Sequence, residues 1–189
     1  GDVGPTTDWS AALQGVEKVV HLAARVHVMR ERAADPISEY RRVNTQGTVR
    51  LAEAAARAQV GCFVYVSSVK VLGEETHTNS FTDEDIPNPQ DPYAISKWEA
   101  EKALREIERS QGLTVVILRP PLIYGPGVRA NFLSLIRIVK KGIPLPFKSI
   151  RNRRSFLYLG NLVDAITCCL NDKRAAGNTF LVSDGEDIS

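Results

Sequence analysis

The chain has 189 residues, 43% of them hydrophobic, enough for one domain with a core, or for one domain and part of a second. Its 24 basic and 22 acidic residues leave a formal charge of +2; apart from a short basic knot at Arg151-Asn152-Arg153-Arg154 they are interspersed, which excludes the electrostatic footprint of a duplex nucleic-acid binder. No apolar run approaches the roughly 20 residues of a membrane span. Cys62, Cys168 and Cys169 show neither metal-ligand spacing nor an even disulfide count, and read as buried thiols in a reducing compartment, with the cytoplasm as the default location.

The chain opens at Gly1-Asp2-Val3 rather than at Met and closes at Asp187-Ile188-Ser189 with no closing element, which reads as a segment of a longer protein. Residues 8–13 predict a short helix. Lys18-Val19-Val20-His21-Leu22, ending in Ala23-Ala24, is an apolar run without polar alternation, the pattern of a strand covered on both faces of a parallel sheet. From 32 to 58 the apolar residues recur at helical spacing, with Pro36 tolerable near the start and Gly61 as a stop. Cys62-Phe63-Val64-Tyr65-Val66 is a second buried strand, followed directly by Ser67-Ser68, and residues 69–90 form a long loop.

Asp91-Pro92-Tyr93 opens the next helix: Asp91 suits the cap, Pro92 the first helical position, and Tyr93 and Lys97 leave the same face one turn apart. That helix runs to about Ser110, where Gly112 ends it. Thr114-Val115-Val116-Ile117-Leu118 is a third buried strand, broken by Arg119-Pro120-Pro121 and followed by the turn-rich Tyr124-Gly125-Pro126-Gly127. Residues 131–141 are amphipathic, 155–158 and 179–182 predict short strands, and 161–170 a helix. Strands alternating with helices imply crossover units and a parallel sheet, an α/β fold. Ligands of such sheets bind beyond the carboxyl ends of the strands, where Ala23-Ala24, Ser67-Ser68 and Arg119-Pro120-Pro121 all fall.

Five ordered motifs, His21-Leu22-Ala23-Ala24, Asn44-Thr45-Gln46-Gly47-Thr48, Val66-Ser67-Ser68, Tyr93-x-x-x-Lys97 and 119–127 (RPPLIYGPG), resemble the extended short-chain dehydrogenase/reductase family, in its nucleotide-sugar epimerase/dehydratase branch. The resemblance implies a partial Rossmann-type parallel sheet flanked by helices, with residues 1–128 and 155–176 in an NAD-binding domain, and 129–154 and 177–189 in part of a smaller substrate-binding domain. The family's glycine-rich turn, whose N–H groups and helix dipole hold the cofactor pyrophosphate, has no counterpart here. A leading stretch is therefore expected to be missing, and the segment alone is expected to be inactive.

Carried over residue by residue, the resemblance implies Ser68, Tyr93 and Lys97 as catalytic residues, and Asp2, Val3, Leu22, Ala23, Ala24, Asn44, Ser67, Tyr93, Lys97 and Pro120 as contacts of NAD, with NADP left open. Core packing is the alternative for Leu22, Ala23 and Ala24, and backbone bonding for Asn44. Ser68, Asn131, Phe147 and Arg154 are implied as substrate contacts, with Arg153 the alternative to Arg154, and a helix cap and a core ring the alternatives for Asn131 and Phe147. Tyr93, helped towards phenolate by Lys97 and the nicotinamide, would take the proton of a sugar hydroxyl as the carbon beneath gives up its hydride, leaving a transient 4-keto sugar.

Where the family's 4,6-dehydratases carry Asp-Glu after the catalytic Ser/Thr, this chain has Val69-Lys70, which argues against dehydration. A nucleotide-sugar 4-epimerase is the first expectation, an NAD(P)H-dependent 4-ketoreductase the second, and a non-catalytic binding relative the third. Leu122, where many relatives have Asn, departs from a plain UDP-glucose pattern. His27 and His77 read as solvated loop histidines and His21 as a satisfied core histidine. A homodimer through the helices at 32–58 and 91–110 is also implied.

Overall fold

The computed structural model describes residues 2–26, 35–76, 79–128, 133, 137–142 and 152–188. A parallel sheet forms its centre. Strands β1 (Lys18–His21), β2 (Cys62–Val66), β3 (Val115–Arg119) and β6 (Thr179–Leu181) lie in the order β1-β2-β3-β6. Every pairing among them is parallel, with His21 opposite Tyr65, Val66 opposite Leu118 and Arg119 opposite Leu181, so all four strands end on one rim. A second sheet joins β4 (Leu122–Tyr124), β5 (Arg154–Tyr158) and β7 (Asp187–Ile188).

The strands' alternation sorts the core into two layers. Phe63, Tyr65, Val115 and Ile117 face Leu51, Ala52, Ala55, Ala100 and Leu104, which belong to α2 (Thr48–Arg57) and α3 (Pro92–Gln111). Val64, Val116 and Leu118 face the other way, onto Leu162 and Ile166 of α4 (Leu159–Asn171). This is a sheet with helices on both faces, as the element order predicts. Thr179–Leu181 pairs with β3 and so belongs to the main sheet, although it lies within the 177–189 stretch expected in the smaller domain.

Three expectations need correcting. Residues 10–15 form turns rather than a helix, held by Leu13 N–H to Trp9 O at 3.0 Å. β1 is less buried than its apolar run predicts: among the described residues Lys18 and Val20 are exposed, Val20 at 36%, and His21 is buried. An apolar run reports affinity for a dry environment, and how far each of its residues is covered depends on tertiary packing. Cys168 is exposed and Cys62 and Cys169 are half-buried, so the thiols do not all lie in the core.

The expected first long helix is present but composite. Asp35 caps it, Pro36 takes its first turn, and α1 (Pro36–Tyr40) passes into a π-helical segment, Arg41–Gly47, before α2. Gly47 ends that segment where only a hydrogen fits: a Cβ there would lie 2.9 Å from Val3 Cγ1, so glycine lets the N-terminal segment press against the helix. α3 has the caps its sequence predicts, with Asp91 Oδ1 accepting from Ala94 N–H at 2.6 Å and Gly112 at φ +72° closing its end.

Candidate active site

The site lies on the rim where β1, β2 and β3 end. Lys97, the sixth residue of α3, is 2% exposed; its Nζ donates to Val66 O at 2.8 Å and lies 4.5 Å from the Tyr65 ring centre. Val66 is the last residue of β2, two positions before Ser68, so Lys97 ties α3 to the strand end that delivers the serine. Burial lowers the Lys97 pKa to about 7, against the upward pull of Glu101 one turn along.

Ser68 caps the 3₁₀ turn Val69–Val71, its Oγ accepting from Lys70 N–H at 3.2 Å. The Ser68 hydroxyl also acts on the Tyr93 phenol, favouring its ionised form, which puts the two side chains near each other across the long loop between them. The loop after β3 is fastened to this turn as well, because Val69 N–H donates to Pro120 O at 3.0 Å. Burial raises the Tyr93 pKa above its ordinary value; the Ser68 hydroxyl pulls it down, the Asp91 carboxylate pushes it up, and the Lys70 ammonium pulls it down. Tyr40 walls the phenol from the side, its ring edge-on to Tyr93 at 6.3 Å between centres.

Asn44 sits in the π-helical segment and is fully buried. Its Oδ1 accepts from Arg25 N–H at 2.7 Å, and its Nδ2 donates to Arg25 O at 3.0 Å and to Ser96 Oγ at 3.0 Å. Ser96 Oγ in turn donates to Tyr93 O at 2.7 Å. One side chain thus holds the loop after β1 and the first turn of α3 in register, the backbone-bonding role. His21 is satisfied in the core: Thr48 Oγ1 gives its hydrogen to Asn44 O at 2.7 Å, so it accepts from His21 Nε2–H at 2.9 Å. Burial and the nearby Lys97 lower the His21 pKa to about 4.

The remaining predicted contacts divide. Leu22 is 59% exposed, Ala23 is exposed and Ala24 half-buried, so core packing does not account for Leu22 and Ala23. Ser67 is 3% exposed and its Oγ has no partner among the described residues. Such an orphan is costly, and a ligand hydroxyl or amide would satisfy it. Pro120 is buried at the end of β3. Asp2 is exposed and pairs with Arg42 Nη1 at 3.0 Å, which holds Val3 near Gly47. Arg154 and Arg153 are exposed at the start of β5 in the second sheet. Asn131, Phe147, His27 and His77 lie outside the described residues.

Three features of the site have no counterpart in the sequence expectations. Lys70 Nζ pairs with Asp91 Oδ2 and with Glu74 Oε1 at 2.9 Å, and only its i,i+4 spacing to Glu74 was a sequence signal. Glu101 and Arg119 form a buried bidentate pair at 2.6 and 3.2 Å. The π-helical segment is the third, since hydrophobic spacing is too coarse to register one extra residue in a turn.

Fold and site together define a Rossmann-type α/β protein with a Ser-Tyr-Lys group at the carboxyl ends of its strands. The chain belongs to the NAD dependent epimerase/dehydratase family, which it matches over residues 1–183. A UDP-glucose 4-epimerase of Vibrio cholerae is 49% identical over 191 residues, taking in 100% of this chain and 58% of the relative. The dTDP-glucose 4,6-dehydratase of Streptomyces venezuelae, solved with NAD bound, superimposes with a TM-score of 0.83 at 29% identity, over 100% of this chain and 58% of that one. The UDP-glucuronic acid 4-epimerase of Bacillus cereus, solved with UDP-glucuronic acid and NAD, gives 0.84 at 26% identity, over 97% of this chain and 59% of that one. The chain therefore spans about 58% of the length of the relatives it matches. No helix among the described residues is long and apolar enough to cross a membrane.

Proposed function

We propose that the protein is an NAD-dependent 4-epimerase of a nucleotide sugar, a UDP-hexose or UDP-N-acetylhexosamine. The observation that carries this reading is Lys97 of α3 pinned to Val66 O at 2.8 Å, at the strand end that delivers Ser68, with Tyr93 one turn before it on the same helix and within the influence of the Ser68 hydroxyl. The rim residues fit a dinucleotide: Ser67 Oγ lacks a partner among the described residues, Val66 O takes one of the three Lys97 donors, and Leu22 and Ala23 are exposed. Bound NAD supplies the hydride acceptor and donor. Leu22, Ala23, Ala24, Ser67, Lys97 and Pro120 are the residues we assign to hold it, with Asp2 and Val3 at its adenine end and Asn44 as a buried support.

Ser68 would hold the sugar hydroxyl, and Tyr93 would take its proton and later return it. Lys97, near neutrality at a pKa of about 7, could carry a proton or release one during turnover. Arg154 is assigned to the substrate diphosphate, where a planar guanidinium serves best. Val69 and Lys70 speak against dehydration: the first has no ionisable group, and the second is held by two carboxylates. We also propose a homodimer through the outward faces of α1, α2 and α3; Ala52 and Ala55 cover the sheet, while Ala58 stays exposed. Sedimentation of the full-length protein as a monomer would remove it.

The test is to incubate the full-length protein with a panel of UDP-hexoses and UDP-N-acetylhexosamines without added cofactor. Interconversion of C4 epimers is expected. Net consumption of NADH or NADPH with a 4-keto sugar would replace this reading by a 4-ketoreductase.

A further inference from the structure

Lys70 is half-buried beside the candidate site and belongs to neither the expected catalytic set nor the core. Its backbone N–H is bonded to Ser68 Oγ, and its side chain reaches across to the cap of the helix that carries Tyr93. Asp91 divides its carboxylate between two tasks: Oδ1 caps α3 through Ala94 N–H at 2.6 Å, and Oδ2 meets the Lys70 ammonium. Glu74 holds that ammonium from the loop side at 2.9 Å. Three segments thus converge on one cation: the turn after β2, the loop behind it, and the start of α3.

We propose that Lys70 is a positioning residue for Ser68 and Tyr93: with Asp91 it braces the two turns that carry the pair, and its ammonium offsets the Asp91 carboxylate beside the phenol. The proposal rests on the reading of Tyr93 as the proton-transferring group. Four groups act on that phenol. Ser68 and Lys70 favour its ionised form, and Asp91 and the Tyr40 phenol oppose it. Burial opposes the charge on Lys70, but Asp91 and Glu74 outweigh it and raise its pKa, so the brace stays charged through the neutral range. Asp91 is therefore both the helix's cap and an obstacle to the chemistry of its first turn, and Lys70 relieves the second without disturbing the first.

The test compares Lys70→Met, Lys70→Arg and Asp91→Asn in the full-length protein, the last keeping an acceptor for the cap while losing the charge. The phenolate absorbance of Tyr93, read as a difference from Tyr93→Phe in each background, gives its titration without any substrate. Lys70→Met is expected to move that titration up by about one pH unit, Asp91→Asn to move it down, and Lys70→Arg to restore it. In parallel, kcat with UDP-glucose, or whichever UDP-hexose the panel shows converted, falls about tenfold in Lys70→Met with KM unchanged, and recovers in Lys70→Arg. Shifts of the same sign in Lys70→Met and Asp91→Asn, or no shift in either, would overturn the proposal. Should wild type convert none of the panel, the epimerase reading fails, while the direction of the titration shifts still decides the role of Lys70.

Discussion

Two buried cations meet α3: Lys97 belongs to the helix, and Arg119, the last residue of β3, reaches Glu101 one turn after Lys97. Arg119 is 5% exposed and closed off by a bidentate pair with Glu101. Lys97 is 2% exposed and, among the described residues, its direct contacts are a backbone carbonyl and the face of a tyrosine, with Glu101 acting from one turn away. Lys97 and Glu101 stand at i and i+4, so Glu101 could have answered the lysine. It answers Arg119 instead, whose planar fork matches both carboxylate oxygens. Burial therefore lowers the Lys97 pKa to about 7, and the upward pull of Glu101 does not offset it. A paired buried ion contributes to holding the structure, whereas a partly answered one at a rim stays available for chemistry.

Replacing Lys97 by Met breaks the comparison most sharply. Turnover should fall by about 10²–10⁴-fold, yet the cofactor-free protein should be no less stable. The sign follows from linkage: with a folded pKa of about 7 against 10.5 unfolded, the native state is penalised for holding the proton below pH 7, and that penalty is relieved as pH rises through that window. Denaturant unfolding at pH 6 checks it; a clear loss of stability in Lys97→Met would mean that the lysine is a structural cation like Arg119.

Arg119→Met should act the other way round. It strands Glu101 in the core and should cost about 3–5 kcal/mol of stability, seen as a lower denaturant midpoint. Glu101 then has only Lys97 to answer, so the Lys97 pKa should rise. A lysine titration that stays near 7 in a folded Arg119→Met protein would show that burial alone governs it.

The smallest effect concerns His21, also near Lys97. Its folded pKa of about 4 lies below the ordinary 6.5, so the unfolded chain binds the extra proton between those values and stability drops as pH falls through them. The loss should reach about 3 kcal/mol near pH 4. His21→Gln, which keeps a donor for Thr48, should flatten that acid limb in denaturant melts taken across pH 4–6.5.

Much of this site is legible in sequence because it depends on local rules. The cap at Asp91, the proline after it and the i,i+4 spacing place Tyr93 and Lys97 on one helical face, and the apolar strands place Ser68 at a rim. What is not legible depends on partners distant in the chain. Asp91 gives no sign that its second oxygen belongs to Lys70, 21 residues earlier, nor Glu101 that Arg119 rather than Lys97 will take it. Asn44 reads as a polar residue in a helix; the π-helical segment turns it towards Arg25 and Ser96. Val20 shows the converse limit, an apolar residue in a strand that is nonetheless 36% exposed.

The central claim, that Tyr93 moves the proton at a site built with Ser68 and Lys97, is tested most directly by Tyr93→Phe in the full-length protein. With a UDP-hexose that wild type interconverts, the variant should lose about 10²–10⁴-fold in kcat while keeping wild-type stability. Interconversion at the wild-type rate by a folded Tyr93→Phe protein would contradict the account.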